Sequence, residues 1–448
     1  MPNKKDSLFV MPDGRNLIVT FTLVSSLFLL WGFCNGMIDV MDKHFQQELH
    51  LTLAQSAWVQ FAHYLGYFLM ALPAGWLASK LGYKGGIIVG LLMVAAGGFW
   101  FIPATHIAQF WAFLLGVCVI AAGLTFLETI ANPYTTVLGP PQYAATRINL
   151  AQSCNGIGWI FGPIAGGMFF YSKDTMGHST GSQTLWIPYA AVGVAVLILA
   201  VVFYFSDMPD IKTEDDYHLD DSTPGIARSI WSHPHFVMAV VAQFFYVAAQ
   251  SGIFSFFINY MTSQVPTIPE GWNSGMLAGW FEKNTAGVLG LTDKGAANLA
   301  SLGFVCFLLG RFTGAGILKK YAAHKVLGLY AVINVVLCGL IFCKLGWLSV
   351  GCVFLSCFFM SIMFPTIFAL GIFGLGARAK KASAFIVMAI MGGAILPKAM
   401  GYVADQTDMS RGFIVPLLCF AFVAFYGLNW SRFSKAESLN GEIATTGH

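Results

Sequence analysis

A chain of 448 residues that is 57% hydrophobic and only 10% charged, with a mean hydropathy of +0.69, is not a soluble globular protein, in which about 25% charged residues is usual. Divided into apolar runs of about 20 residues, it reads as a polytopic α-helical membrane protein. The net charge of +3 and the single scatter of basic residues exclude a nucleic-acid surface. Nine cysteines, all within apolar runs and without metal-ligand spacing, read as small membrane-helix residues and not as a disulfide framework or a metal site.

In chain order, a polar start containing Lys4, Lys5 and Arg15 leads into a first membrane helix over 17–41. That run is too long for a signal-peptide core and lacks a small-residue cleavage site. Length and hydropathy place further helices at 53–78, 85–103, 107–137, 147–171, 185–206, 233–261, 295–318, 323–343, 346–371, 382–404 and 412–431, twelve in all. The break at 207–231, with Asp207, Asp210, Glu214, Asp215, Asp216, Asp220 and Asp221, follows the sixth helix. A second break at 262–294 separates the seventh from the eighth. The expected organisation is a six-helix half over 1–206, a cytoplasmic loop over 207–231, a second six-helix half over 232–432 and a cytoplasmic tail over 433–448. With both termini cytoplasmic, sixteen of the 24 Lys and Arg fall inside and six outside, the bias this orientation requires; Arg311 and Lys398 lie within helices.

The halves match at corresponding places. Gly75, Leu77 and Lys84 after the second helix align with Gly316, Leu318 and Lys325 after the eighth. Pro133, Leu138 and Gly139 at the end of the fourth align with Pro365, Leu370 and Gly371 at the end of the tenth. Two similar six-helix halves joined by a cytoplasmic loop form the parallel-repeat plan of major facilitator transporters, with a substrate site between the halves near mid-membrane. In the Gly75–Lys84 stretch, Ser79 stands where that family usually has Asp, so no gating ion pair is read from it.

An ionisable residue inside a membrane helix costs about 2.5–3.5 kcal/mol on insertion scales. Four stand out: Asp39, Glu128, Arg311 and Lys398. Thr125, Glu128, Thr129 and Asn132 share one face of the fourth helix, as a hydrated cavity wall would; pairing of Glu128 with an Arg for packing is the plainer alternative. Asp39 lies toward the outer end of the first helix, one turn beyond Asn35, as a proton carrier or a solvated helix end. Asn149, Gln152 and Asn155 form a stripe on the fifth helix that suits sugar hydroxyls or serves as interhelical glue. Gly158, Gly162 and Gly166, four residues apart, allow close helix contact there. Arg311 either pairs with a carboxylate in gating or snorkels to headgroups. Lys398, after Pro397, reaches a water-filled cavity if the helix breaks locally. His63, deep in the second helix, reads as a packing residue.

The blocks Asn35–Asp39, Leu127–Pro133, Thr136–Pro140, Asn149–Asn155, Gln243–Gln250, Gly310–Gly314 and Ser383–Met388 together resemble the L-fucose–proton symporter (fucose permease) family of the major facilitator superfamily, from about residue 20 to 430. The resemblance implies that Asp39 and Glu128 serve proton coupling, with Glu128 exchanging its proton as sugar binds, and that Gln152 and Asn155 face the sugar. Gly36, Phe364 and Phe254 replace an Asn, a Tyr and a Trp of the fucose permease, and Lys398 has no counterpart there. Glucose/galactose and N-acetylglucosamine carriers belong to the same family.

The sequence therefore predicts an all-α membrane protein of twelve helices in two six-helix repeats, a proton-coupled monosaccharide symporter of the bacterial inner membrane working by alternating access. The alternatives are a proton-independent or sodium-coupled glucose/galactose or N-acetylglucosamine carrier, and more remotely a sugar sensor or membrane enzyme. No catalytic constellation, cofactor or metal is expected, and the partners are a monosaccharide, a proton or sodium, and membrane lipids, with the chain a monomer. The expected substrate set is Asn35, Glu128, Asn132, Gln152, Asn155 and Gln250, with Arg311 and Lys398 in gating or coupling.

Overall fold

The structure, a computed structural model, describes residues 8–11, 14–48, 53–170, 184–209, 229–269, 271, 280–283, 289–436 and 439; within these, the side chains of 39–48, 53–57, 60, 163–164, 166–170, 293–294, 297 and 377 lie outside the description. In hydrocarbon no water meets the backbone N–H and C=O groups, so each crossing satisfies them internally as a helix. The N-terminal group comprises α1 (Ile18–Glu48), α2 (Leu53–Ile107), α3 (Phe110–Val137), α4 (Ala144–Phe170) and α5 (Trp186–Phe205). The C-terminal group begins with α6 (Pro234–Ser255), α7 (Phe257–Gln264), β1 (Phe281–Lys283), β2 (Leu289–Leu291) and α8 (Asp293–Leu318). It continues with α9 (Ala323–Phe342), α10 (Trp347–Met360), α11 (Met363–Ile372), α12 (Ala379–Met388), α13 (Gly392–Gln406), α14 (Met409–Gly412) and α15 (Ile414–Ser434).

Ten described stretches are long and apolar enough to cross a membrane. One of them, Phe61–Ile107, runs for 47 residues, about 70 Å as helix, more than twice the thickness of a hydrocarbon core. Gly82, at φ 72° and ψ −176°, interrupts it with a backbone geometry that only glycine adopts readily, so α2 is two crossings joined end to end. With that division and the 27-residue α4, the expected twelve crossings are present. The polar break at 262–294 is less featureless than expected: β1 and β2 form a short antiparallel hairpin, and Thr292 caps α8 by accepting from the Gly295 N–H at 3.0 Å.

Three crossings read from sequence as single helices are broken. The seventh divides into α6 and α7 at Phe256, the tenth into α10 and α11 at Ser361–Ile362, and the eleventh into α12 and α13 at a 3₁₀ turn, Ala389–Met391. Proline acts at the break in the tenth. It has no N–H, so the carbonyl four residues earlier loses its helical donor. Pro365 thereby frees Ser361 O, which accepts from Arg311 Nε at 3.1 Å. Pro397 frees Gly393 O, which accepts from Ser251 Oγ at 3.1 Å. Pro133 leaves α3 continuous but frees Thr129 O, which accepts from Ser383 Oγ at 2.7 Å. Buried carbonyls require partners, and here side chains of other helices supply them.

Small residues set the spacing inside the N-terminal group. A β-carbon at Gly32 would strike the Asn155 carbonyl, and one at Gly158 would strike the Leu29 carbonyl. The backbones of α1 and α4 therefore meet directly, as small residues permit in membranes. Gly162 packs on α1 in the same way, whereas the third glycine of the expected stripe, Gly166, lies where side-chain surroundings are outside the description. Arg147, at the start of α4, is wholly buried. It donates to the carbonyls of Thr135 (3.0 Å), Pro140 (2.8 Å), Gly139 (3.2 Å), Thr136 and, on the N-terminal segment, Leu8 (3.1 Å). It ties the α3–α4 turn together and so fixes how the two site-bearing helices sit.

The two groups touch through named pairs. Gly75 of α2 packs on Ala384 and the Lys380 carbonyl of α12, and Lys380 Nζ stands 4.1 Å over the Tyr83 ring. Tyr64 of α2 lies against Gly393 of α13. Trp159 of α4 stacks on Phe304 of α8 with centroids 6.0 Å apart, and Asn149 of α4 donates to Thr366 of α11 at 3.1 Å. These contacts run from the middle of the bundle to the end carrying the α3–α4 and α11–α12 turns.

Candidate functional site

The polar stripe of α3 is present, and its members are used differently. Thr125 donates its hydroxyl proton to the Ala121 carbonyl of its own helix, at 2.7 Å, and keeps only acceptor capacity. Glu128, 1% exposed, has no hydrogen-bond partner on either carboxylate oxygen among the described residues. The expected alternative of an arginine partner is therefore not what the structure shows. Glu128 lines a narrow, mainly apolar space with Leu27, Phe28, Trp31, Leu127 and Ala131, and its polar neighbour is the Tyr67 hydroxyl of α2. Tyr67 in turn accepts from Trp31 Nε1 at 2.7 Å, which leaves its own proton free to donate. An ionised carboxylate with no partner in such a place is strongly disfavoured, so this arrangement suits the neutral acid, which donates one hydrogen bond and accepts others.

One turn further along α3, Asn132 is fully buried. Its Oδ1 accepts from Gln152 Nε2 of α4 at 3.2 Å, while its Nδ2 has no partner among the described residues. Gln152 is also held from the other group: its carbonyl and its Oε1, the latter at 3.3 Å, accept from Arg311 Nη1 of α8. Arg311 is 5% exposed and lies over the Phe307 ring at 4.6 Å. In this structure Arg311 is buried away from the headgroups, with no carboxylate partner among the described residues: the Gln152 carbonyl and side chain accept from its Nη1, and the proline-freed Ser361 carbonyl accepts from its Nε. Asn149 serves partly as the glue that was the alternative for this stripe, donating to Ala145 O at 2.8 Å and to Thr366 Oγ1, yet its Oδ1 is left without a partner among the described residues. Asn155 is buried at the α1–α4 contact, about one turn beyond Gln152 on the same helix.

Asn35 of α1 is half-buried beside Tyr67, its Oδ1 unpartnered among the described residues. Asp39 lies on α1 one turn beyond, and its side chain is outside the described residues. Gln250 of α6 is half-buried. Lys398 is exposed on a continuous α13; the break in that crossing falls before Gly392 and not at Pro397, so the local opening expected beside Lys398 is not where the sequence placed it. The structure thus joins Glu128, Asn132, Gln152 and Arg311 into one group spanning both halves, with Asn35 alongside through Tyr67.

Sequence reasoning missed several members. Tyr67 and Trp31 gave no signal, being aromatic residues in apolar runs. His63 was set aside as packing, yet its ring lies 4.9 Å from that of Tyr67 and its Nδ1 has no partner among the described residues. Gln243 and Tyr246 lay inside a quoted block, and their buried polar atoms gave a signal that the reading passed over. Chemically, the group can offer a hydroxylated ligand a carboxylic proton, amide donors and amide acceptors in a dry setting.

The sequence pattern of the Major Facilitator Superfamily matches residues 18–396. The L-fucose-proton symporter of Escherichia coli (strain K12) is 36% identical over 96% of both chains. A glucose/galactose transporter of Brucella abortus is 32% identical over 93% of this chain and 95% of its own. A crystal structure of a variant of the E. coli fucose:proton symporter superposes with a TM-score of 0.77 at 35% identity, over 93% of this chain and all of that one. On these grounds, and on the twelve crossings described above, the chain is an integral membrane protein that belongs to the Major Facilitator Superfamily and, within it, to the L-fucose–proton symporter family.

Proposed function

We propose that this protein imports a neutral monosaccharide together with a proton by alternating access, with Glu128 as the group that couples the two. The carrying observation is that Glu128 is buried with both oxygens unpartnered among the described residues, one turn from the Asn132–Gln152–Arg311 link across the halves. Sugar meets the protonated acid and the amides of Asn132, Gln152 and Asn155, with Asn35 and Gln250 at the margin. Release of the proton then makes Glu128 an acceptor only. Asp39, on the outer part of α1, passes the proton onward. Arg311 acts in gating through Gln152, and Lys398 stands by the pathway.

We place the protein in a bacterial inner membrane as a monomer, with both termini cytoplasmic. Its six-helix halves are 1–206 and 232–432, the loop 207–231 and the tail 433–448 facing the cytoplasm. The end carrying the α3–α4 and α11–α12 turns, where the two groups touch, then faces inward. Fucose, glucose and galactose are the sugars that relatives' names support. Phe364, which is buried, and Phe254, packed 4.8 Å from Phe304, stand where the fucose permease has a Tyr and a Trp, so the sugar contacts of this wall differ from that relative's.

The test is uptake by proteoliposomes of labelled L-fucose, D-glucose and D-galactose under an imposed proton gradient, with medium pH recorded. Accumulation with alkalinisation of the medium is expected. Uptake that follows a sodium gradient, or that never exceeds equilibration, would replace proton coupling by the sodium or uniport reading. Asp39→Asn should exchange sugar across the membrane without concentrating it.

A further inference from the structure

Gln243 and Tyr246 stand three residues apart on α6, with Gln250 one turn further, so the three share a face. Gln243 and Tyr246 are both 0% exposed. Neither the amide nitrogen and oxygen of Gln243 nor the hydroxyl of Tyr246 has a hydrogen-bond partner among the described residues. Packing alone does not call for these groups. A methionine or phenylalanine of similar volume would fill the same places without stranding polar atoms away from water.

The position of this face is informative. The Tyr246 ring meets Phe364 edge-on at 6.4 Å, and its hydroxyl is within electrostatic reach of Arg311. Arg311 crosses to Gln152 on the other half. Opposite, Glu128, Asn132 Nδ2 and Asn149 Oδ1 are also unmet among the described residues. Unsatisfied donors and acceptors therefore come from both halves and gather where the halves meet. Protein interiors leave few such groups, and a hydroxylated ligand that visits for part of a cycle accounts for groups that nothing resident satisfies.

We infer that Gln243 and Tyr246 are the C-terminal half's share of the sugar site, engaged as the halves close on a pyranose. An amide offers N–H and C=O side by side, which fits two neighbouring ring hydroxyls, one accepting and one donating. The phenol serves a single hydroxyl. The pair therefore selects a neutral sugar with an intact vicinal diol. This assignment rests on the sugar-transport reading above and deepens it.

The experiment is counterflow in proteoliposomes of the full chain, using the sugar the parent transports and its monodeoxy analogues. Gln243→Met and Tyr246→Phe keep the volume and remove the polar atoms. Each should weaken the sugar about tenfold, equivalent to about 1.4 kcal/mol, through KM more than maximal rate. Gln243→Met should then be indifferent to loss of the hydroxyl that Gln243 holds in the parent, and Tyr246→Phe indifferent to a different one. Melting temperatures in detergent should be unchanged or higher, because an unmet polar group has been removed. Two results overturn the assignment: variants that rank every deoxy analogue as the parent does, or variants with lowered melting temperature whose remaining transport keeps the parent's ranking, which makes the residues structural. If the parent transports no monosaccharide, the sugar reading fails first and this assignment falls with it.

Discussion

Glu128 and its neighbours make a specific claim about protons. Only the neutral acid donates to a sugar hydroxyl, so affinity in the parent should fall as pH rises through the titration of Glu128, and linkage makes bound sugar hold that proton more tightly in return. Glu128→Gln imitates the neutral form. Its sugar affinity, measured by calorimetry from about pH 5 to 9, a range that brackets buried carboxyl groups, should be flat, and it should exchange sugar without accumulating it. A slope equal to the parent's moves the coupling proton elsewhere. The stripe around Glu128 was legible because polar side chains stand out in an apolar run and share a helical face. What they do with their hydrogen bonds was not legible. Thr125 turned back on its own helix, and Arg311 found an amide and a carbonyl, because a sequence does not say which distant segment will present a bare backbone acceptor. Arg147 shows the same limit more strongly, with carbonyls as its recorded partners.

At the scale of the helix, proline placement organises the site. Pro133 and Pro365, which matched each other in the repeat, free Thr129 O and Ser361 O, and each is met by a side chain of another helix. The proline positions and the helix count were legible from composition and period. The breaks themselves were not: Pro133 leaves α3 continuous although its freed carbonyl is met just as that of Ser361 is. Ser383 shares its proton between Thr129 O at 2.7 Å and Lys380 O at 2.8 Å. Ser383→Ala should weaken the contact between the halves at this end by about 1 kcal/mol, the usual net value of one hydrogen bond, and shift the population about fivefold toward a state in which they part there. Labelling rates of a cysteine introduced behind that end read this shift; an unchanged rate dismisses the bond as a latch. Away from the membrane, Lys344 Nζ and Asp408 Oδ2 are 2.6 Å apart and join the turns flanking α10 and α14. Slight burial pushes the Asp408 carboxyl up, but Lys344 and the Arg411 and Ser410 N–H groups outweigh it and hold its pKa below the ordinary value. Its contribution to stability is therefore present above the unfolded-state pKa of about 3.9 and is lost as pH falls through the lower folded-state value. Asp408→Asn should lower the melting temperature slightly at pH 7, by an amount that shrinks as the pH is taken down below the ordinary carboxyl range, if all are measured in one detergent.

For the whole molecule, the twofold repeat was the most legible feature, because Gly, Leu, Pro and Lys recur in order in both halves. How the halves engage was not, since their contacts rely on glycine clearances such as Gly75 on Ala384 and on neutral hydrogen bonds. Among the described residues the recorded ion pair between opposite charges, Lys344 with Asp408, lies within one half. The guanidinium at the seam between the halves, that of Arg311, thus has dipoles around it and no carboxylate beside it among the described residues. The consequence is electrical. A cation fixed to one half and shifted across the membrane field as the halves rock carries current even when no proton moves, at about 2.3 kcal/mol per elementary charge for each full 100 mV traversed. Sugar exchange by Glu128→Gln should accordingly keep a residual dependence on membrane voltage, and adding Arg311→Gln should abolish it. Voltage-independent exchange in Glu128→Gln alone would show that this charge stays at one depth throughout the cycle.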